Sequence, residues 1–327
     1  MNRRIIAIGT GASALLMLTG CVADVPEPVT EAPALEQEAA LLEAQSDRIV
    51  EATMAELALA DEEADADLLT DRIGGDAVTV RKAQYTLASA DDGPTPVVLP
   101  AEMQAVYSVG ADTWPRTLAS VSQPADEDST PVVMLWIQDD VDTDYQLRGW
   151  AHMIPGATIP AMAGTTSGAE QLTVDADGLL ATPEEAISNY LELLREGEDS
   201  EFAEQFTADS YREQLFASRE ALTETANDAE GEYVDTIESD IDSTYVMGTA
   251  DGGALVFAPV SVKSSFSVDD GIVEIAGAQQ PLVDGDIEDV AVYEYRDLIV
   301  LHIPAADSDD TAGVVAADHN LIRITDS

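Results

Sequence analysis

Apolar side chains recur at helical spacing in two parts of the chain and at every second position in several others. Leu35, Leu42, Ile49, Val50, Met54 and Leu57 lie on such a helical pattern, in a run to about Ala60 that lacks glycine and proline. This spacing predicts one long amphipathic helix that packs on a sheet. After Gly74-Gly75, the stretch Ala77 to Ala88 carries Val78, Val80, Tyr85 and Leu87 and reads as a strand. Trp114 to Val121, Val132 to Gln138 and Tyr145 to Ile154 follow as strand candidates, separated by the acidic turns Asp126-Glu127-Asp128 and Asp139-Asp140. Trp114, Trp136 and Trp150 fall one to a strand among apolar neighbours, which places them in a core rather than on a sugar-binding platform.

The second half opens on Thr182-Pro183-Glu184-Glu185, an N-cap, a first-turn proline and a capping-box glutamate. Ile187, Tyr190, Leu191 and Leu194 then commit one helix face to a core, and Gly197 ends the helix. Shorter helical pieces are expected around Phe202 to Phe206 and Tyr211 to Leu222. The period then switches to two: Val256, Ala258, Val260, Val262, Phe266 and Val268 alternate with polar residues, between the turns Asp251-Gly252-Gly253 and Asp269-Asp270-Gly271. Strands at Ile287 to Tyr295, Leu298 to Ile303 and Leu321 to Ile324 complete a meander. The pattern predicts an α+β class with two tandem helix-plus-antiparallel-sheet domains, over 35–165 and 175–327, joined by a glycine-bearing connector at Gly164 to Gly168. The second has the element order of a nuclear-transport-factor (NTF2-like) or cystatin-like domain.

The first residues have another logic. Arg3 and Arg4 precede an apolar run, Ile5 to Leu18, that reaches only roughly 21 Å as a helix against a hydrocarbon core of about 30 Å. The run ends in Leu18-Thr19-Gly20-Cys21, and Cys21 is the one cysteine of the chain. This arrangement resembles the lipobox of bacterial lipoproteins. The resemblance implies a signal peptide over 1–20, cleavage before Cys21 and a diacylglycerol on its thiol, with a proline-bearing acidic tether over 21–34. Arg3-Arg4 also occurs in twin-arginine leaders, but Ala7 stands in the third place after the pair, and general secretion is the expectation. Two acyl chains anchor stably where one binds only marginally.

Composition narrows the chemistry. The chain carries 14 Lys plus Arg against 64 Asp plus Glu, a formal net charge of −50, so nucleic acid is excluded as a partner. The same field repels anionic headgroups, which leaves the lipid at Cys21 to hold the protein at a membrane. Lysine occurs only at Lys82 and Lys263, a scarcity that fits either a GC-rich genome or adaptation to high salt. With Cys21 lipidated, no disulfide, thiolate nucleophile or cysteine-ligated metal remains.

No reaction motif appears. His152 and His302 lie in strand-like runs and read as sheet residues, and His319 reads as a turn residue. Gly164-Thr165-Thr166-Ser167-Gly168 only echoes a nucleophile elbow, with no strand before it. Asp140, Asp142 and Asp144 match three ligand positions of a calcium loop, but Tyr145 stands where glycine is needed and Ala151 where the bidentate glutamate belongs. The expectation is no catalytic residue, no cofactor and no metal, with Cys21 as the one assigned site.

Beyond the lipobox, Asp71-Arg72-Ile73-Gly74-Gly75, Gly149-Trp150-Ala151-His152-Met153, the helix Thr182 to Leu194 and the strands around Tyr295 to Pro304 are similar to a group of actinobacterial surface lipoproteins of unassigned function. That resemblance implies an envelope-facing, non-catalytic protein with two related α+β halves, and the functional expectation is a lipid-anchored, extracellular-facing protein that acts by binding, as an adaptor to an envelope protein partner. The alternative is a carrier of a lipid or other small apolar ligand in a sheet-lined cavity. A cavity lined by Phe257, Val260 and Tyr293 would mark the carrier.

Overall fold

A computed structural model describes residues 6–7, 38–110, 114–164, 166–269 and 271–326. Cys21, the rest of the lipobox, the tether and Leu35 lie outside them. Near the N-terminus, Ile6–Ala7 form a two-residue parallel pairing with Val273–Glu274, apart from both sheets described below.

Helix α1 runs from Glu43 to Glu63. Ser46, Val50, Thr53, Met54, Leu57 and Ala60 form its buried stripe, and Ala64 ends it in the left-handed conformation. Leu42, expected on that stripe, is instead the N-cap and stands 73 % exposed; its N–H donates to Gln45 Oε1 at 2.8 Å.

The stretch read as a strand after Gly74-Gly75 is helix α2, Asp76–Ala88. Gly75 is its N-cap at φ +57°, a conformation that suits glycine, and turns the chain into the helix. The buried positions are Ala77, Val80, Arg81, Ala83 and Tyr85. The i, i+3, i+4 face is hidden in the sequence because one of its members is an arginine. Arg81 is wholly buried, its guanidinium paired with Asp61 at 2.8 and 2.6 Å and donating to Val97 O and Gln84 Oε1 at 2.7 Å each. A buried charge persists only when its donors are met in this way.

Four antiparallel strands, β1 (Met103–Ser108), β2 (Arg116–Ser122), β3 (Val132–Gln138) and β4 (Gln146–His152), make the first sheet in sequential order. Strand β1 lacks strong alternation and was not among the expected strands. Trp136 and Trp150 are core residues as expected, whereas Trp114 precedes β2 and is 38 % exposed.

The second half begins with β5 (Gln171–Leu172) and helix α3 (Pro183–Glu196). The capping box forms as read: Thr182 Oγ1 accepts from Glu185 N–H, and Glu185 Oε2 from Thr182 N–H, both at 3.2 Å. The expected piece at Tyr211 is a full helix, α4, Ser210–Asp228. Strands β6 (Gly231–Ser239), β7 (Tyr245–Gly248), β8 (Ala254–Val268), β9 (Val283–Asp284), β10 (Val290–Ile303), β11 (Gly313–Ala317) and β12 (Leu321–Thr325) join β5 in an eight-stranded, mostly antiparallel sheet. Its spine is the β8–β10 pair, in register from Val290↔Ser267 to Ile303↔Ala254. The two strands expected at 287–295 and 298–303 are therefore one strand, and Arg296-Asp297 continues the ladder rather than turning it.

These elements give the α+β class. The inner faces of the two sheets share one apolar cluster, in which Ala119, Val121, Leu135 and Met153 meet Leu255, Phe257, Val300 and Val315. Among the described residues no helix is long and apolar enough to cross a membrane.

Candidate functional site

Where α2 meets both sheets, the packing leaves a recess of about 340 Å³. The first turn of α2 (Gly75, Asp76, Ala77) forms one wall, Arg148 and Trp150 of β4 a second, and Arg296, Asp297 and Leu298 of β10 a third. Asp240, Ser243, Tyr245, Pro259, Ser261 and Asn320 complete the rim. At one point beside the recess the two sheets approach closely. A Cβ on Gly149 would sit 3.3 Å from Leu298 Cδ2, so a side chain at that position needs Leu298 to shift by a few tenths of an ångström.

Arg148 reaches the recess through a local irregularity. Leu135 faces Gly149 while Trp136 faces Leu147, which leaves Arg148 as an extra residue on β4. Such a bulge redirects a side chain that regular alternation would fix. The guanidinium pairs with Asp139, and its Nε is buried without a hydrogen-bond partner among the described residues. Opposite, Arg296 Nε lies 3.8 Å from Asp76 Oδ1. Burial raises the Asp76 pKa; the Arg296 charge counters this and the Asp240 charge adds to it. The Tyr245 hydroxyl is likewise pushed up by burial, against the pull of Arg148 and with the help of Asp139 and Asp240, so it stays a neutral donor. The recess thus sets two cations, Arg148 and Arg296, and two accessible carboxylates, Asp76 and Asp240, over an apolar floor of Val80, Leu135, Trp150 and Leu298.

Behind this wall lies a polar network that the sequence does not announce. The Asp297 side chain is fully buried. It accepts from Tyr211 Oη at 2.7 Å and from Asn320 N–H at 2.9 Å, and it meets His319 Nδ1 at 2.7 Å. The His319 ring stacks on Tyr295 with centroids 3.8 Å apart. Beside it, His152 Nδ1 meets Asp318 at 2.8 Å, so consecutive residues of the β11–β12 turn each join a histidine–aspartate pair. His152 carries this turn to β4 of the other sheet. His302 lies apart, its Nε2 buried without a hydrogen-bond partner among the described residues, and burial lowers its pKa against the charges of Asp251 and Asp310.

The arrangement suits recognition. Two guanidinium groups offer forked donors to a carboxylate or phosphate, while Asp76 and Asp240 offer acceptors to a cation or amide. Among the described residues no serine hydroxyl is bonded to a histidine, and no group of three or more His, Cys, Asp or Glu side chains is placed to hold a metal ion. Asp140, Asp142 and Asp144 lie on an exposed turn, where Asp140 Oδ1 accepts from Asp142 N–H at 3.4 Å and Asp144 pairs with Arg72 at 3.6 Å. Phe257, Val260 and Tyr293 are buried in three different apolar clusters, and none lines the recess.

No curated protein and no solved structure matches the chain. One family model does match, over residues 38–318, and by that match the chain belongs to the family described as Domain of unknown function (DUF8094).

Proposed function

We propose that this protein is a non-catalytic binding protein of the cell envelope, anchored on the outer face of the membrane by lipid at Cys21, and that it engages an envelope partner through the inter-sheet recess. The observation that carries the binding reading is the recess itself, where opposed charges surround an apolar floor. Such a lining complements a polar or zwitterionic element on a partner and is poorly matched to a lipid tail, which would strand four charged groups. The filled clusters around Phe257, Val260 and Tyr293 support the adaptor over the apolar carrier. The lipobox and the likeness to surface lipoproteins support the location.

The test joins fractionation to recovery of the partner. Cys21→Ala should move the protein from the membrane to the soluble fraction, and continued tight membrane association would sink the lipid reading. Crosslinking in intact cells, followed by affinity recovery and mass spectrometry, should return a stoichiometric protein from the parent that Arg296→Gln and Asp76→Asn both lose. Recovery of a bound lipid with no protein partner would overturn the adaptor in favour of the carrier.

A further inference from the structure

We infer that a second groove, between α1 and the open end of the first sheet, is a binding site for a phosphate-bearing anion. Its cationic side is Arg48, Arg72 and Arg116 beside Tyr145, against the carboxylates Glu51 and Asp144, and the open groove measures about 820 Å³. Three guanidinium groups on one groove stand out against the composition. Two of the 14 cationic residues, Arg3 and Arg4, lie at the N-terminus, and three of the twelve that remain line this one groove. In the groove, Arg72 has Asp144 at 3.6 Å, a side chain 60 % exposed, and Arg116 stacks over Trp114 at 4.1 Å. Arg48 has no ion pair among the described residues.

An independent feature points to a ligand. Tyr145 is 4 % exposed, lines the groove, and its hydroxyl finds no hydrogen-bond partner among the described residues. Burial pushes it up to about 12, against the pull of Arg116, so it remains a donor. A buried hydroxyl beside a guanidinium is complementary to an oxyanion. In a molecule of net charge −50, long-range attraction does not bring anions in, so the anion must gain from several short contacts at once. A phosphate group, with its several oxygens and up to two charges, meets that need better than a single carboxylate. The groove begins at Ala40, some twenty residues beyond Cys21, a length that reaches at most about 70 Å when fully extended. Both a lipid headgroup and a soluble phosphate are therefore accessible sources.

The test uses the full mature chain carrying Cys21→Ala, titrated calorimetrically with inorganic pyrophosphate at low ionic strength, and sedimented with phosphatidylglycerol or phosphatidylcholine vesicles. Pyrophosphate should bind, and Arg48→Gln, Arg116→Gln and Tyr145→Phe should each weaken it by about tenfold, the scale of one hydrogen bond to a charged group. Lys82→Gln, an exposed cation on α2, should leave it unchanged. Co-sedimentation with phosphatidylglycerol alone would assign the source to the headgroup; pyrophosphate binding without it would assign a soluble phosphate. Absence of binding to either probe overturns the inference. So does an affinity that Arg48→Gln and Tyr145→Phe leave intact, or one that Lys82→Gln weakens equally. Arg48 is exposed on α1, so its variant keeps the test valid if Arg116→Gln or Tyr145→Phe fails to fold.

Discussion

Replacing Asp297 by alanine removes the acceptor at the centre of the network behind the recess. The side chain is fully buried and serves Tyr211, His319 and Asn320 together. Tyr211 is 6 % exposed, and burial together with the Asp297 charge raises its pKa well above the ordinary value, so it cannot dispense with its acceptor by ionising. Orphaning that hydroxyl costs about 1–3 kcal/mol, and the partly buried Asn320 N–H adds about 1 kcal/mol. His319 is a third exposed, so its imidazole turns to water and adds little. The sum is about 3 kcal/mol, which for a chain of this size lowers Tm by about 6 °C. Thermal and urea unfolding followed by circular dichroism measure both quantities. Asp297→Asn keeps one acceptor and should lose about half as much. Tyr211→Phe made in the parent and in the alanine variant should be non-additive by about 1 kcal/mol or more, since the two share one bond. A loss below about 1 kcal/mol for the alanine variant, or additivity in the cycle, refutes the reasoning.

Other outcomes follow from the same contacts. Burial lowers the His152 pKa, but the charge and hydrogen bond of Asp318 outweigh it and raise the value above 6.5. The pair therefore stabilises the fold fully below that ordinary value and loses its contribution as pH rises through the raised one. The stability gap between the parent and His152→Gln should be wider near about pH 5 than near about pH 9, as read by urea denaturation; a gap that widens with pH would show the sign to be wrong. Thr182→Ala removes the acceptor for Glu185 N–H and should cost about 1 kcal/mol, close to 2 °C in Tm, with Thr182→Ser near neutral.

Local chemistry was legible where it was local. The α3 capping box and the Val132–Gln138 strand depend on neighbours within a few positions, and both formed where the pattern placed them. Helix α2 was misread because its buried face includes Arg81, whose partner Asp61 lies twenty positions away and gives no sign in a hydropathy pattern. The recess was illegible for the same reason. Arg148 enters it through a bulge set by the pairing of β3 with β4. Asp297 falls between two expected strands, and its part emerges only when Tyr211, 86 positions earlier, and His319, 22 later, are brought to it. His152 and His319 were read as bland sheet and turn residues, because neither is near its aspartate in sequence.

The sharing of one apolar cluster between the sheets sets an order on events during synthesis. The inner face of the first sheet, with Ala119, Val121, Leu135 and Met153, is closed by Leu255, Phe257, Val300 and Val315. A nascent chain emerging N-terminus first therefore cannot bury these side chains against their native partners until β8, β10 and β11 have been made. The contacts that close the cluster join residues more than a hundred positions apart, the kind of pairing whose loop entropy must be offset before burial is gained. A chain that stops before Ala254 keeps that face exposed permanently, so prematurely terminated products are marked for aggregation or proteolysis by their own surface.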